Sequence, residues 1–155
     1  MWLKFLLAAL IIAFCVFLGY LAAGKHRARK RYFSQLALFN ERYLSELSYT
    51  RKPLAEFIDS FPYTGDFDKS LKRLTESRNA KVDFPYLTAD ERKLCSDYFT
   101  ALGTGDSSAQ KGYFSAQKLS LEEKKTESEK ECKAKGELYL KLGLLAGLAF
   151  VILIV

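Results

Sequence analysis

The sequence is poor in the residues that most catalytic and metal-binding chemistry uses. It has one histidine, three cysteines, three prolines, one methionine and one tryptophan in 155 residues. His26 stands alone in a basic run, and no cysteine pair has metal-ligand or CxxC spacing, so there is no zinc ligand set. Three cysteines do not make a disulfide framework. Cys15 lies in an apolar run, and Cys95 and Cys132 fit a reducing compartment. Gly103–Asp106 lacks the GxxxxGK[ST] pattern and a preceding strand, which makes it a helix-to-helix turn rather than a phosphate loop. No stretch alternates polar and apolar residues for long enough to read as a strand. Proline is absent from Ser107 onward, so nothing in the sequence interrupts a helix there.

Two apolar ends dominate what is present. Phe5–Gly24 carries no charge, and Leu138–Val155 is interrupted only by Lys141. A helix over the first run rises about 30 Å and one over the second about 27 Å, near one hydrocarbon thickness. We therefore expect membrane helices at 5–24 and 138–155, with a polar domain at 25–137. A cleaved signal peptide is the competing reading of the first run. That run is longer than a signal core, and its flanking charge follows it rather than precedes it. A C-terminal lipid-anchor signal fits poorly with the Lys/Glu-rich residues before the tail and with Lys141.

The formal net charge is +6. Setting aside Lys4 and Lys141, 22 basic residues stand against 18 acidic ones. Much of this excess is Lys25–Arg31, which beside an apolar helix marks the cytoplasmic side. Lys130, Lys133 and Lys135 open the second span on the same side. The expected topology has a cytoplasmic domain and both termini outside. Nucleic-acid binding would need a broader basic face. Within the spans, Gly143 and Gly147 form a GxxxG step. Gly19 with Ala23, and Ala9 with Ala13, offer small faces on the other helix. Lys141 is placed to snorkel toward the surface.

The middle reads as helices. Tyr32, Leu36, Phe39, Tyr43 and Leu47 share one helical face, continuous with the first span. The same spacing makes these aromatics core rather than a base-stacking surface. Pro53 suits a first turn ahead of Leu54, Phe57, Ile58 and Phe61. Phe67, Leu71 and Leu74 form another stripe before the loop at 79–85. Thr88 and Glu91 fit a capping box, which accounts for Asp90 and Glu91 without an acid pair. Leu94, Tyr98 and Leu102 form that helix's face, and Gly103 ends it in a left-handed conformation. Asp106 or Ser107 caps the last helix. Its seam runs through Tyr113 or Phe114, Gln117, Leu121, Ser128, Cys132 and Tyr139. Glu129–Lys133 and Glu131–Lys135 pairs lie on its opposite face. The expected fold class is all-α: an antiparallel helical bundle flanked by N- and C-terminal transmembrane helices.

Leu102-Gly103-Thr104-Gly105-Asp106 with Gln110, a long charged helix, and Leu142-Gly143-Leu144-Leu145-Ala146-Gly147-Leu148 together resemble stage III sporulation protein AB. Thr50…Pro53-Leu54 and Lys69-Ser70-Leu71-Lys72 also look like that family. The family is similar to the cytoplasmic domain of type II secretion and type IV pilus platform proteins. The resemblance implies a mother-cell–forespore channel complex, with a secretion-type ATPase (stage III sporulation protein AA-like) and other membrane subunits as partners. It implies no cofactor, metal or catalytic residue. The expected role is a non-enzymatic platform coupling the ATPase to membrane subunits. Gly19, Ala23, Gly143 and Gly147 would pack membrane helices, and Gly103, Gly105, Asp106 and Gln110 would form a turn and cap at the bundle tip. The candidate ATPase contacts are the loops at 61–67, 79–88 and 102–110. The alternative is a generic membrane-anchored helical scaffold unrelated to sporulation.

Overall fold

The computed structural model describes residues 2–49 and 52–154. Thr50, quoted for the resemblance, and Val155, the expected end of the second span, lie outside them. Six helices follow one another: α1 Trp2–Ala22, α2 Gly24–Tyr49, α3 Leu54–Asp59, α4 Gly65–Ser77, α5 Ala89–Ala101 and α6 Ser107–Ile154. The described residues contain no strand. Two of the helical stretches are long and apolar enough to cross a membrane. The chain divides into two compact units, one formed by Met1–Lys30 with Glu127–Val155 and the other by Arg31–Thr126.

The Arg31–Thr126 unit is built on aromatic packing. Tyr32, Phe33, Leu36, Phe39 and Tyr43 of α2 are buried with Phe57 of α3 and Phe67 and Leu71 of α4. Cys95, Tyr98 and Phe99 of α5 and Phe114 and Leu121 of α6 complete the core. Phe39 is its hub, with edge-on or tilted contacts to Phe57, Tyr63, Phe67 and Tyr98 at centroid distances of 5.4 to 6.4 Å. Such geometry suits the ring quadrupole and adds to area burial. Asn40 is the most deeply buried of the polar residues described in this core. It is 1% exposed, donates to the Phe114 carbonyl at 3.1 Å and accepts from the Tyr98 hydroxyl at 3.0 Å. Tyr43 bonds Gln110, so α2 and α6 run antiparallel here: partners fall along α6 as they rise along α2.

Local signals explain the element ends. Thr88 Oγ1 accepts from the Glu91 N–H at 3.2 Å, and Glu91 Oε2 accepts from the Thr88 N–H at 3.1 Å, a complete capping box. The buried face of α5 is Glu91, Cys95, Tyr98 and Phe99. It is rotated from the spacing-based face: Leu94 packs at the edge, while Leu102 is buried beyond the helix end. Phe99 outcompetes Leu94 because the larger ring fills the space beside Phe67. Phe61 likewise lies past the end of α3 yet packs edge-on against Phe57.

In the Met1–Lys30 and Glu127–Val155 unit, α1 and the start of α2 lie along the C-terminal half of α6. A turn at Ala23 separates α1 from α2, where Gly24 follows and helix propensity is low. Four-residue hydrogen bonds still bridge the join, from Ala23 N–H to the Gly19 carbonyl and from Arg27 N–H to the Ala23 carbonyl. Here too the helices run antiparallel: Gly19 meets Tyr139, Cys15 meets Gly143 and Ile12 meets Gly147. Glu131 does not turn to Lys135, as its helical spacing suggests. It faces Arg29 and His26, where a nearly buried guanidinium is the stronger partner.

Candidate functional site

Two regions gather the residues singled out by sequence. The first is the turn between α5 and α6. The α5 helix stops at Ala101, Leu102 is extended, and Gly103 takes φ +74°. Thr104 N–H and its hydroxyl both return to the Ala101 carbonyl, at 3.3 and 2.9 Å. Gly105 is also left-handed, at φ +82°. Both positions use the conformational freedom of glycine to reverse the chain in few residues. Asp106 then opens α6: its Oδ1 accepts from the Ala109 N–H at 3.3 Å, and its carbonyl accepts from the Gln110 N–H at 3.0 Å. Gln110 is nearly buried. Its Oε1 accepts from the Tyr43 hydroxyl, and its Nε2 donates to the Gly105 carbonyl at 3.4 Å.

Tyr43 was a core position by spacing, and its part in this turn was not foreseen. Burial pushes its hydroxyl pKa up, partly offset by a hydrogen bond from the Gly103 backbone. Gly103, Gly105, Asp106 and Gln110 are thus drawn together by one phenol from α2. The signal available in sequence was weak: a tyrosine on an apolar helix face whose hydroxyl needs a partner once buried.

Beside this turn lies an open groove of about 810 Å³. Leu54, Leu74, Phe99 and Leu102 give it an apolar lining, and Arg78 and Lys81 line it as cations, with no Asp or Glu among the lining residues. Two of the three loops expected to reach a partner, 79–88 and 102–110, border it, whereas no residue of 61–67 does. Arg78 ends α4 in the left-handed region at φ +50°. Its N–H bonds the Leu74 carbonyl at 3.1 Å, and Asn79 N–H bonds the Arg73 carbonyl at 3.2 Å. This closes the last carbonyls of α4 but holds a residue with a Cβ where glycine is usual.

The second region is the helix pair. An added Cβ would lie 2.6 Å from the Tyr139 carbonyl oxygen at Gly19, 2.8 Å from that of Cys15 at Gly143, and 3.1 Å from the Ile12 Cα at Gly147. Ala23 is 4% exposed in the same unit. The three glycines therefore sit where a helix backbone closely approaches the facing helix, and Ala23 is buried. Ala9 and Ala13 are exposed instead. Arg29, a member of the basic run at 25–31, is only 6% exposed. It is paired with Glu127 and Glu131, and His26 Nδ1 lies 3.5 Å from Glu131 while its ring stacks on Tyr139. The missed signal was the four-residue spacing of Glu127 and Glu131, which puts two carboxylates on one helix face.

Among the described residues, no group of three or more His, Cys, Asp or Glu could hold a metal ion. The Cys95 thiol is fully buried, and desolvation with the nearby Glu91 carboxylate pushes it up to about 12. A thiol held protonated is no nucleophile.

A family model described as stage III sporulation protein AB matches residues 66–155. The chain belongs to that family. The matched span contains the α5–α6 turn, most of the groove lining, and Gly143 with Gly147. No curated protein and no solved structure matches the chain. Membership of the stage III sporulation protein AB family gives the chain a sporulation-related role, and the family is not known as one of enzymes. Its two long apolar helices are consistent with a membrane location.

Proposed function

We propose that this chain is a non-enzymatic platform subunit of a sporulation membrane complex, coupling a secretion-type ATPase to membrane subunits. In this reading 5–24 and 138–155 are transmembrane helices, 25–137 is a cytoplasmic helical bundle, and both termini are outside. The observation that carries it is the groove bordered by α3, α4 and α5. An apolar lining with Arg78 and Lys81 and no lining carboxylate suits an apolar segment flanked by acidic residues. The segment belongs to the ATPase. Gly103, Gly105, Asp106 and Gln110 keep one wall of the groove in shape, and Gly19, Ala23, Gly143 and Gly147 keep the two spans together.

The test is capture of the secretion-type ATPase by the full chain in detergent. Binding that is lost in R78E/K81E and kept in K118E, an exposed site on α6, which lends the groove no residue, supports the reading. Absence of binding at micromolar concentration overturns it, and so does equal binding by all three chains. Topology is tested separately in intact cells with a membrane-impermeant thiol reagent. Cys95 is fully buried and silent in either orientation, so half-buried Cys132 is the reporter. Modification of Cys132 from outside would reject a cytoplasmic domain.

A further inference from the structure

The unit formed by Met1–Lys30 and Glu127–Val155 carries a positive excess where its polar residues meet its apolar helices. Within 25–30 and 127–141, eight Lys and Arg stand against four Glu. Arg29 is 6% exposed and faces Glu127 and Glu131. Glu127 and Glu131 keep 55% and 34% of their side chains exposed, so the net excess over these residues is four positive charges. Lys25, Lys30, Lys130, Lys133, Lys135 and Lys141 are all exposed. That excess lies just where the polar sequence gives way to apolar helices.

The level of this collar is marked by aromatic residues. The Arg27 guanidinium lies 3.6 Å from the Tyr20 ring centroid and donates to the Tyr20 carbonyl at 2.5 Å. Its side chain thus runs back along the helix toward the apolar residues, and Tyr20 itself is 53% exposed. On the facing helix, the contact of Gly19 with the Tyr139 carbonyl sets Tyr139 beside Tyr20 in the pairing. Tyrosines at one level, with an arginine reaching down to them, are the pattern of a headgroup region. Lys141 is exposed one step farther into the apolar run.

We propose that this collar is a binding surface for anionic phospholipid headgroups. Phosphodiesters of phosphatidylglycerol type would be held by Arg27 beside Tyr20 and by the exposed lysines of both helices. Guanidinium and ammonium groups donate to phosphodiester oxygens, and the excess positive charge draws anionic lipid from a mixed bilayer. The proposal rests on the two apolar helices spanning a bilayer. It does not depend on the ATPase.

The experiment uses the full chain reconstituted in phosphatidylcholine bilayers with trace spin-labelled phosphatidylglycerol or spin-labelled phosphatidylcholine. Electron paramagnetic resonance reads the motionally restricted lipid at the protein boundary. The expected result is a preference for phosphatidylglycerol of roughly three- to tenfold at low salt, decreasing at high salt. The preference falls toward unity in R27Q/K133Q/K135Q and is retained in K93Q/K111Q, whose substitutions lie on α5 and the start of α6. Equal association of the two lipids overturns the proposal, as does a triple variant that behaves like the parent. Loss of the preference in inorganic phosphate, but not in chloride of equal ionic strength, identifies a soluble-anion site and also overturns it. No restricted lipid of either kind overturns the membrane-spanning reading and this proposal with it.

Discussion

Gly143 of α6 lies so close to Cys15 of α1 that a Cβ at Gly143 would stand 2.8 Å from the Cys15 carbonyl oxygen. The obstacle is backbone, which cannot swing aside as a flexible side chain does. Gly19 meets the Tyr139 carbonyl in the same way at 2.6 Å. Substitution must therefore part the helices and forfeit contacts along the pair. G143V or G19A should cost about 1–3 kcal/mol, read as unfolding of the full chain in detergent. G112A is the internal contrast. Nothing lies within 4 Å of its added Cβ, so it should stabilise by about 0.5–1 kcal/mol through helix propensity.

Asn40 is the polar centre of the Arg31–Thr126 core. It donates to the Phe114 carbonyl on α6 and accepts from the Tyr98 hydroxyl on α5. N40A opens a cavity and orphans the Tyr98 hydroxyl, which has no water within reach at 1% exposure. The expected loss is about 2–4 kcal/mol by denaturant titration. Y98F should cost only about 1 kcal/mol, because it deletes one partner without emptying the site. In N40A/Y98F the second substitution should add little, since the hydroxyl it deletes is already unpaired.

The charge cluster at the helix join is asymmetric, and so should be its mutants. The side chain of Arg29 is 7% exposed, whereas those of Glu131 and Glu127 are 34% and 55% exposed. Removing both carboxylates in E127Q/E131Q leaves a buried cation and should cost about 2–4 kcal/mol. Removing the cation in R29Q leaves two carboxylates that water can reach, and should cost about 1 kcal/mol. Equal losses in thermal unfolding would reject this ordering.

The contrast between Arg29 and Thr88 explains what the sequence could reveal. The Thr88–Glu91 capping box, the two apolar ends and the left-handed Gly103 are local: a few neighbouring residues determine each. The backbone contacts at Gly143 and Gly147 follow from a four-residue step of small residues on one helix. Arg29 pairs with residues about a hundred positions away, and no local pattern separates it from Arg27 or Lys30, which remain outside that pairing. The boundary between units has the same origin. Polarity changes at 24/25 and 137/138, but packing changes at 30/31 and 126/127, because the cluster binds the first polar turns to the apolar helices. The groove was invisible for a related reason. It is a space left where α3, α4 and α5 fail to meet, and spacing along each helix records only where they do.

Arg78 combines a strained backbone with a place in the groove. At φ +50° it occupies a region that costs a non-glycine residue about 1 kcal/mol. R78G should therefore stabilise the chain by about 1 kcal/mol in chemical denaturation. It also removes one of the two cations lining the groove, so capture of an acidic partner segment should weaken. A variant that is more stable and binds less would separate the cost of the conformation from the use of the side chain. A destabilised R78G would show that contacts of the side chain outweigh the strain.

Alkali should unfold the Arg31–Thr126 unit through groups that the fold keeps neutral. The Cys95 thiol is pushed up to about 12 from an ordinary 9.0, chiefly by burial and then by the Glu91 carboxylate. Tyr32 and Tyr98 are raised above 10.0, in both cases mainly by burial. A group whose folded pKa lies above its unfolded one adds stability that is complete below the unfolded value. That stability drains away as pH rises toward the folded value. For Cys95 the loss begins near pH 9 and runs to about pH 12; the tyrosines join above pH 10. Urea midpoints should accordingly be flat through neutral pH and fall above pH 9. In C95V the fall should start later, where only the tyrosines titrate. The same burial predicts that a thiol reagent at neutral pH modifies half-buried Cys132 in the folded protein and reaches Cys95 only when denaturant is added. Rapid modification of Cys95 in the folded chain would contradict both its burial and the alkaline mechanism.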